Sequence, residues 1–261
     1  MKTYTTIEKN LGQLPPISLE EMSSIRLMKR TDTKFLTNLS TLESLLELVK
    51  GNYFAQENNG VRVANYSTTY WDVPDAHTMF RIHHCGHRPR MKVRVRTYMD
   101  SNLSFLEIKK KNNHGKTFKK RIAVPSLESV VEEHFGEEFL KERTGYSFNE
   151  IIPTLSNRFK RITLVNLEKT ERLTIDYDLH FYNRENNRNM VMDNIVIIEL
   201  KRDGRVASPI LPLLRQLRIK PSGFSKYCIG SSVTNPELKQ NRFKEKLVHI
   251  RKVAESGKEL T

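Results

Sequence analysis

The stretch RTDTKF at residues 30–35 places Arg30, Asp32 and Lys34 at every second position. In an extended chain alternate side chains leave the same face, so these three would stand together. The spacing recurs along the sequence. KVRVR at 92–96 sets Lys92, Arg94 and Arg96 opposite Val93 and Val95, and FLEIKKK at 105–111 sets Glu107, Lys109 and Lys111 opposite Leu106 and Ile108. KKR at 119–121 aligns Lys119 with Arg121, and RFKRI at 158–162 aligns Phe159 with Arg161. ERLTID at 171–176 aligns Arg172, Thr174 and Asp176, and IELK at 198–201 aligns Glu199 with Lys201. Guanidinium forks grip phosphate oxygens in pairs, and ammonium groups add compact charge. Rows of such cations with few carboxylates are suited to binding a narrow polyanion.

The elements that must carry these rows are legible from turn and cap signals. After a polar arm at 1–17 that ends in Pro15-Pro16, Ser18 and Glu21 form a capping box for a short helix. RTDTKFLT then reads as a strand, and Ser40 or Thr41 as the cap of a second helix closed by Gly51. Strand-like runs follow: VANYSTTYWDV, TMFRIHHCG, RMKVRVRTYM, SFLEIKKK and KTFKKRIAV, separated by Pro, Gly, Asn and Asp. Residues 126–156 read as mostly helical, and RFKRITLVNLEK, ERLTIDYDLHFYN and NIVIIELKRD read as a second set of strands. Lys226 falls near the start of a helix in SGFSKYCIG. A last helix at 236–256 carries Leu238, Phe243, Leu247, Ile250 and Ala254 on one stripe. The domain plan is therefore an arm (1–17), a sheet domain (18–234) and a C-terminal helix packed on its outside (235–261).

The fold class is α+β, an antiparallel sheet with helices. A sheet with one wet face would show the same apolar/charged alternation. The excess of Arg and Lys and the number of strands point instead to a sheet that curls toward a barrel with its charges inward. Two unit charges about 6 Å apart at an effective dielectric near 20 repel by roughly 3 kcal/mol, so an enclosed cationic wall calls for a polyanion or interleaved carboxylates. The net charge of +14 across 261 residues agrees with an anionic partner.

No run of eighteen apolar residues is present, and the N-terminus lacks the apolar stretch of a signal peptide. Cys85 and Cys228 alone do not make a disulfide framework. These features lead to an expected cytoplasmic location. RIHHCGHR at 81–88 has metal-ligand residue types, with His83, Cys85 and His87 on one strand face and His84 on the other, but lacks the paired spacing of a zinc site. It reads as a polar strand end with a turn at Gly86.

Nine segments occur in the order found in a known family: RTDTKF, STTYWD, KVRVRTY, FLEIKKK, KKR, RFKRI, ERLTID, IELK and GFSKYCIG. Across residues 29–229 the chain resembles the polyphosphate polymerase (VTC) domain of the vacuolar transporter chaperone family, in the triphosphate tunnel metalloenzyme superfamily. The resemblance implies an antiparallel β-barrel tunnel with helices packed outside. It implies growth of polyphosphate from ATP with Mn²⁺ or Mg²⁺. It assigns phosphate contacts to Lys34, Arg94, Arg96, Lys109, Lys119, Arg161, Arg172 and Lys226, and the metal to Glu199. Lys34, Arg94, Arg96, Lys109, Arg161 and Arg172 form the expected catalytic set; strand parity adds Arg30, Lys92, Arg121 and Lys201 as phosphate-binding. The family's tyrosine two residues before the matched arginine is Phe159 here, which removes a hydroxyl. Eukaryotic members also carry an inositol-phosphate-sensing domain and membrane helices that this sequence lacks, so export of a product would need a membrane-protein partner.

Phosphoryl transfer requires positioning and charge neutralisation more than covalent chemistry. A phosphate chain end is a ready acceptor. If water is the acceptor, the same site is a triphosphatase, with Glu107, Asp32 or Asp176 to orient the water. A module that only binds polyphosphate is a third reading. A nucleic-acid binder is a fourth, disfavoured because the cations alternate along strands rather than cluster with stacking aromatics. Oligomeric state is not encoded in any motif.

Overall fold

The structure is a computed structural model that describes residues 2–23, 30–204 and 206–256. Strand β2 (Arg30–Thr37) pairs with β11 (Val196–Asp203), which pairs with β9 (Glu171–Asn183). From there the sheet runs through β8 (Ile152–Asn166), β4 (Ala64–Asp72), β5 (Arg90–Tyr98) and β6 (Leu103–Lys111) to β7 (Thr117–Val124). Every pairing on this path is antiparallel. β2 and β7 are its two edges and are not bonded to each other, so the barrel is incomplete. Three short strands lie off the path: β1 (Pro16–Ile17), β3 (Tyr53–Gln56) and β10 (Asn189–Met192).

The apolar rows found in the sequence face outward into helices. Phe35, Ile162, Leu164, Leu173, Ile175, Ile198 and Leu200 pack with helices α1 (Lys2–Gly12), α3 (Leu39–Leu48) and α7 (Ile210–Gln216) through Ile7, Leu11, Leu42, Leu45, Leu46, Ile210 and Leu214. Val93, Val95, Leu106 and Ile108 join a second core with Val130 of α5 (Leu127–Glu132) and Leu140 of α6 (Glu137–Thr144). Full burial of each such side chain contributes about 1.5–3 kcal/mol, and this commits the charged parity to the concave side.

Local signals account for most boundaries. Ser18 and Glu21 cap α2 (Leu19–Ser23) reciprocally, with N–H···O distances of 2.9 and 3.1 Å. The cap of α3 is Asn38, two residues before the expected Ser40; its Oδ1 accepts the Thr41 N–H at 2.9 Å. The segment read from the sequence as the short helix capped by Ser18 is SLEEMSSIRLM (18–28), and its part after Ser23 lies outside the described residues. The expected arm at 1–17 is helical at Lys2–Gly12 and buries Ile7, Leu11 and Leu14, an apolar stripe inside a polar composition.

TMFRIHHCG is a helix, α4 (Thr78–Cys85), and not a strand. The buried Asp72 carboxylate accepts the N–H groups of Met79 and Phe80 at 2.8 and 2.9 Å, anchoring the first turn, and Gly86 closes the last turn with a φ of 74°. Helical rotation then separates His83, Cys85 and His87 instead of aligning them. Among the described residues no three His, Cys, Asp or Glu side chains converge to hold a metal. The C-terminal helix is shorter than expected: a 3₁₀ turn at Asn241–Phe243 leads into α9 (Lys244–Ser256), and Phe243 and Ile250 of the expected stripe are buried.

Candidate phosphate site on the concave face

Helix α8 (Lys226–Thr234) packs on the inner face of the sheet, with Gly230 against Leu155 of β8 and Phe181 of β9 and Lys226 on Asp176. A Cβ at Gly230 would lie 2.5 Å from Phe181 and 2.8 Å from Leu155, so glycine permits the close approach. Ser225 caps the helix by accepting the Cys228 N–H at 3.2 Å. The Tyr227 hydroxyl donates to Asp72 at 2.5 Å, tying α8 to the same carboxylate that anchors α4.

Three carboxylates interleave with the inner cations. Glu199 on β11 accepts Lys34 of β2 at 2.8 Å and has Lys201 at 3.4 Å. Burial would raise the Glu199 carboxyl, but Lys34 and Lys201 hold it at about 2. Glu107 on β6, 1% exposed, accepts Arg94 at 2.8 Å (Nε) and 2.7 Å (Nη2) and receives Lys119 on its other oxygen. Against the effect of burial, Arg94, Arg96 and Lys119 hold Glu107 at about 2. Asp176 on β9 takes a two-pronged contact from Arg161, 2.5 and 2.8 Å, and a further one from Lys226. Its carboxyl is strongly lowered: burial opposes the shift, and Arg161 and Lys226 impose it.

Arg96, Lys92 and Lys109 have no carboxylate in contact among the described residues. Arg96 is 8% exposed and lies over Tyr66 and Phe159, with centroids at 5.5 and 6.0 Å. Lys92 donates to Ser225 Oγ at 2.9 Å. Lys109 stands in the open cavity, where the surrounding wall together with Lys92 and Arg94 pushes its ammonium down to about 8. A cavity of about 370 Å³ brings Lys34 together with Arg90, Lys92, Lys109 and Lys111, and with Lys246 of α9, with no Asp or Glu in its lining. These residues come from β2 at one edge of the sheet and from β5 and β6 near the other, so the sheet wraps around a shared interior.

The remaining expected residues divide. Arg172 lies opposite Lys201 in the β9–β11 register, and its charge bears on Lys201. Asp32 lies opposite Lys201 on the other side. Arg121 is exposed and lies over the Phe105 ring at 4.3 Å, outside the ion-pair groups. The Arg30 side chain lies outside the described residues. His83 lines the cavity; its Nε2–H donates to the Met91 carbonyl at 3.0 Å, and burial with Lys92 nearby lowers it to about 3, so the ring is neutral.

Sequence reasoning passed over the aromatic floor. Tyr66 stacks on Phe159 at 5.1 Å, and Arg161 lies 4.9 Å above Tyr66. Lys226 lies 4.1 Å above Phe159. The ring that replaces the family's tyrosine thus supports three cations through its face. The parity of Tyr66 and Tyr70 in NYSTTYWD is the signal that would have placed both rings inside.

A family model for the VTC domain matches residues 29–235, well over half of the chain. The chain belongs to the VTC domain family. No curated protein matches it. Among solved structures, the VTC domain described here is similar to HpAC1 from Hippeastrum, assigned as an adenylyl cyclase and described as having a dominant triphosphatase activity. The identity is 13% and the TM-score 0.51, covering 79% of this chain and 97% of that one. It is also similar to a protein from Bacillus halodurans assigned as an adenylate cyclase, at 10% identity and a TM-score of 0.50, covering 76% and 96%. At these identities the likeness is one of fold, that of the triphosphate tunnel proteins. No helix among the described residues is long and apolar enough to cross a membrane.

Proposed function

We propose that this VTC domain is a metal-dependent polyphosphate polymerase that moves the terminal phosphoryl group of ATP onto a growing phosphate chain. The observation that carries the reading is the cavity wall, six cations of which only Lys34 has a carboxylate in contact among the described residues, near inner arginines whose carboxylates are already committed. Such a wall repels itself and is neutralised by a linear polyanion.

Lys34, Lys92 and Lys109 would take the outer phosphates, and Arg94, Arg96, Arg161 and Lys226 the inner ones. Charge that develops on the transferring group falls among preorganised donors, so little rearrangement is needed. Arg172, Lys201 and Lys119 support the field from behind this row, and Arg121 from the rim. The donor chemistry fits a hard divalent ion carried in on phosphate oxygens: Glu199 is one half-buried carboxylate held against Lys34 of the cavity wall, and no protein cage exists among the described residues. Bound there, Mg²⁺ or Mn²⁺ would neutralise phosphate charge. In that state Lys34 would turn from Glu199 to the substrate.

A hydrolytic reading draws on the activity described for the Hippeastrum protein. It would need a base for water. Glu107 and Glu199 at about 2 are weak bases, and a lowered Asp176 is weaker still. An ionised chain end needs no base, which favours the polymerase. Incubation with ATP and Mn²⁺, resolved on a polyacrylamide gel, is expected to yield long phosphate chains. Free phosphate without chains would replace the polymerase by a triphosphatase, and neither product by a binding module.

A further inference from the structure

Thr68 of β4 is paired with Arg96 on β5 and with Asn157 on β8. Its three side chains share the concave face, and cross-strand neighbours of this kind lie about 5 Å apart. Arg96 reaches Thr68 Oγ1 at 3.4 Å, a long contact, and has no carboxylate among the described residues. Asn157 is 1% exposed, and neither its amide nitrogen nor its carbonyl oxygen has a hydrogen-bond partner. On the opposite face of the same strands Thr69 and Ser156 satisfy each other at 2.9 Å. The inner row therefore leaves a buried amide unpaired on one side of Thr68 and a buried guanidinium without a carboxylate in contact on the other, where polar groups in a finished interior are paired.

The donors and acceptors of these side chains are specific. Arg96 and the Asn157 NH₂ donate, which suits anionic oxygens. The Asn157 carbonyl only accepts, which suits an oxygen that still carries a proton. A chain-end phosphate or hydrogen phosphate offers both kinds of oxygen near neutral pH. Phosphates in the middle of a chain, and sulfate, offer only acceptors. Arg94 and Arg161 flank the position with their carboxylates already engaged, adding favourable field without competing for the ligand.

We propose that Arg96 and Asn157, with Thr68 between them, form an inner subsite that receives a terminal phosphate group, the end of a phosphate chain or orthophosphate. This rests on the phosphate-chain reading above and adds to it a residue, Asn157, that holds the chain by its end. Isothermal titration of the purified protein with tripolyphosphate, orthophosphate and sulfate, alongside thermal melts, tests it. Asn157→Leu removes the two unpaired atoms at similar size, so the unliganded protein should melt at the same temperature or higher. Its affinity for tripolyphosphate should fall about tenfold, and the preference of wild type for orthophosphate over sulfate should vanish. Asn157→Asp places a carboxylate against Arg96; it should melt higher without ligand and bind tripolyphosphate more weakly still. If Asn157→Leu and Asn157→Asp both bind tripolyphosphate as wild type does while Lys109→Ala does not, the inner subsite is wrong and the outer cavity stands. If wild type binds no tripolyphosphate, the phosphate-chain reading falls first.

Discussion

Lys34 and Glu199 lie directly opposite each other on β2 and β11, with Nζ 2.8 Å from Oε1. The pair sits where the edge strand meets the cavity, and the lysine side chain is 36% exposed. Lys34→Ala leaves Glu199 with Lys201 at 3.4 Å, so the fold should persist with little change in melting temperature. Loss of one charge-assisted contact of about 1.5–3 kcal/mol should weaken tripolyphosphate binding about 10- to 100-fold by titration. An unchanged affinity would remove Lys34 from the site.

Glu199→Gln separates the metal from the anion. The substitution deletes the inward negative charge beside Lys34 and Lys201, so tripolyphosphate in metal-free buffer should bind as tightly or more tightly. Turnover of ATP with Mn²⁺ should fall at least a hundredfold. Retention of wild-type turnover would place the metal elsewhere.

Acid sensitivity follows from the depressed carboxylates. Glu107 and Glu199 move from 4.5 to about 2 on folding. A folded value below the unfolded one contributes stability that is complete above about 4.5 and is lost as pH falls toward about 2. Melting temperature should be flat above pH 5 and decline steadily below it. Glu107→Gln should melt lower at neutral pH, because Arg94 and Lys119 lose their buried partner, and should show a shallower acid limb. Equal acid limbs in the two proteins would contradict the pairing.

Lys109 sets the alkaline side. Desolvation by the cavity wall, with the neighbouring Lys92 and Arg94, lowers its ammonium from 10.5 to about 8. The unfolded chain binds this proton more tightly, so unliganded stability should rise between about pH 8 and 10.5. Anion binding needs the proton and should weaken over the onset of the same window. Lys109→Arg, which stays charged, should move the alkaline fall in tripolyphosphate affinity upward by a pH unit or more. A superimposable profile would exclude Lys109 from contact.

Gly230→Ala probes the seating of α8. The added Cβ would press on Phe181 and Leu155 at 2.5 and 2.8 Å. Overpacking of this kind costs about 1–3 kcal/mol, which should lower the melting temperature by several degrees. Lys226, at the start of the helix, should be displaced from Asp176, and turnover should fall with it. A melting temperature equal to wild type would mean that α8 does not rest on the concave face.

Much of this architecture follows from spacing alone. Val93 and Val95, Leu106 and Ile108, and Leu173 and Ile175 alternate with Arg94 and Arg96, Glu107 and Lys109, and Arg172 and Asp176. Burial of the apolar parity against helices then sends the charged parity to the other side, whatever the strand order. The same logic failed for TMFRIHHCG, because a short polar-apolar mixture fits either period. The choice was made by Asp72, which accepts the first N–H groups of α4.

The amino-acid sequence by itself determined which side chains share a face, because the two-residue repeat of a strand is local. It could not determine who meets whom across the interior. That Glu107 joins Arg94 to Lys119, that Asp176 joins Arg161 to Lys226 from a helix fifty residues on, and that Arg96 and Asn157 remain open beside Thr68 depend on strand order, register and the insertion of α8. Those are set by long-range packing, which no spacing along the chain records.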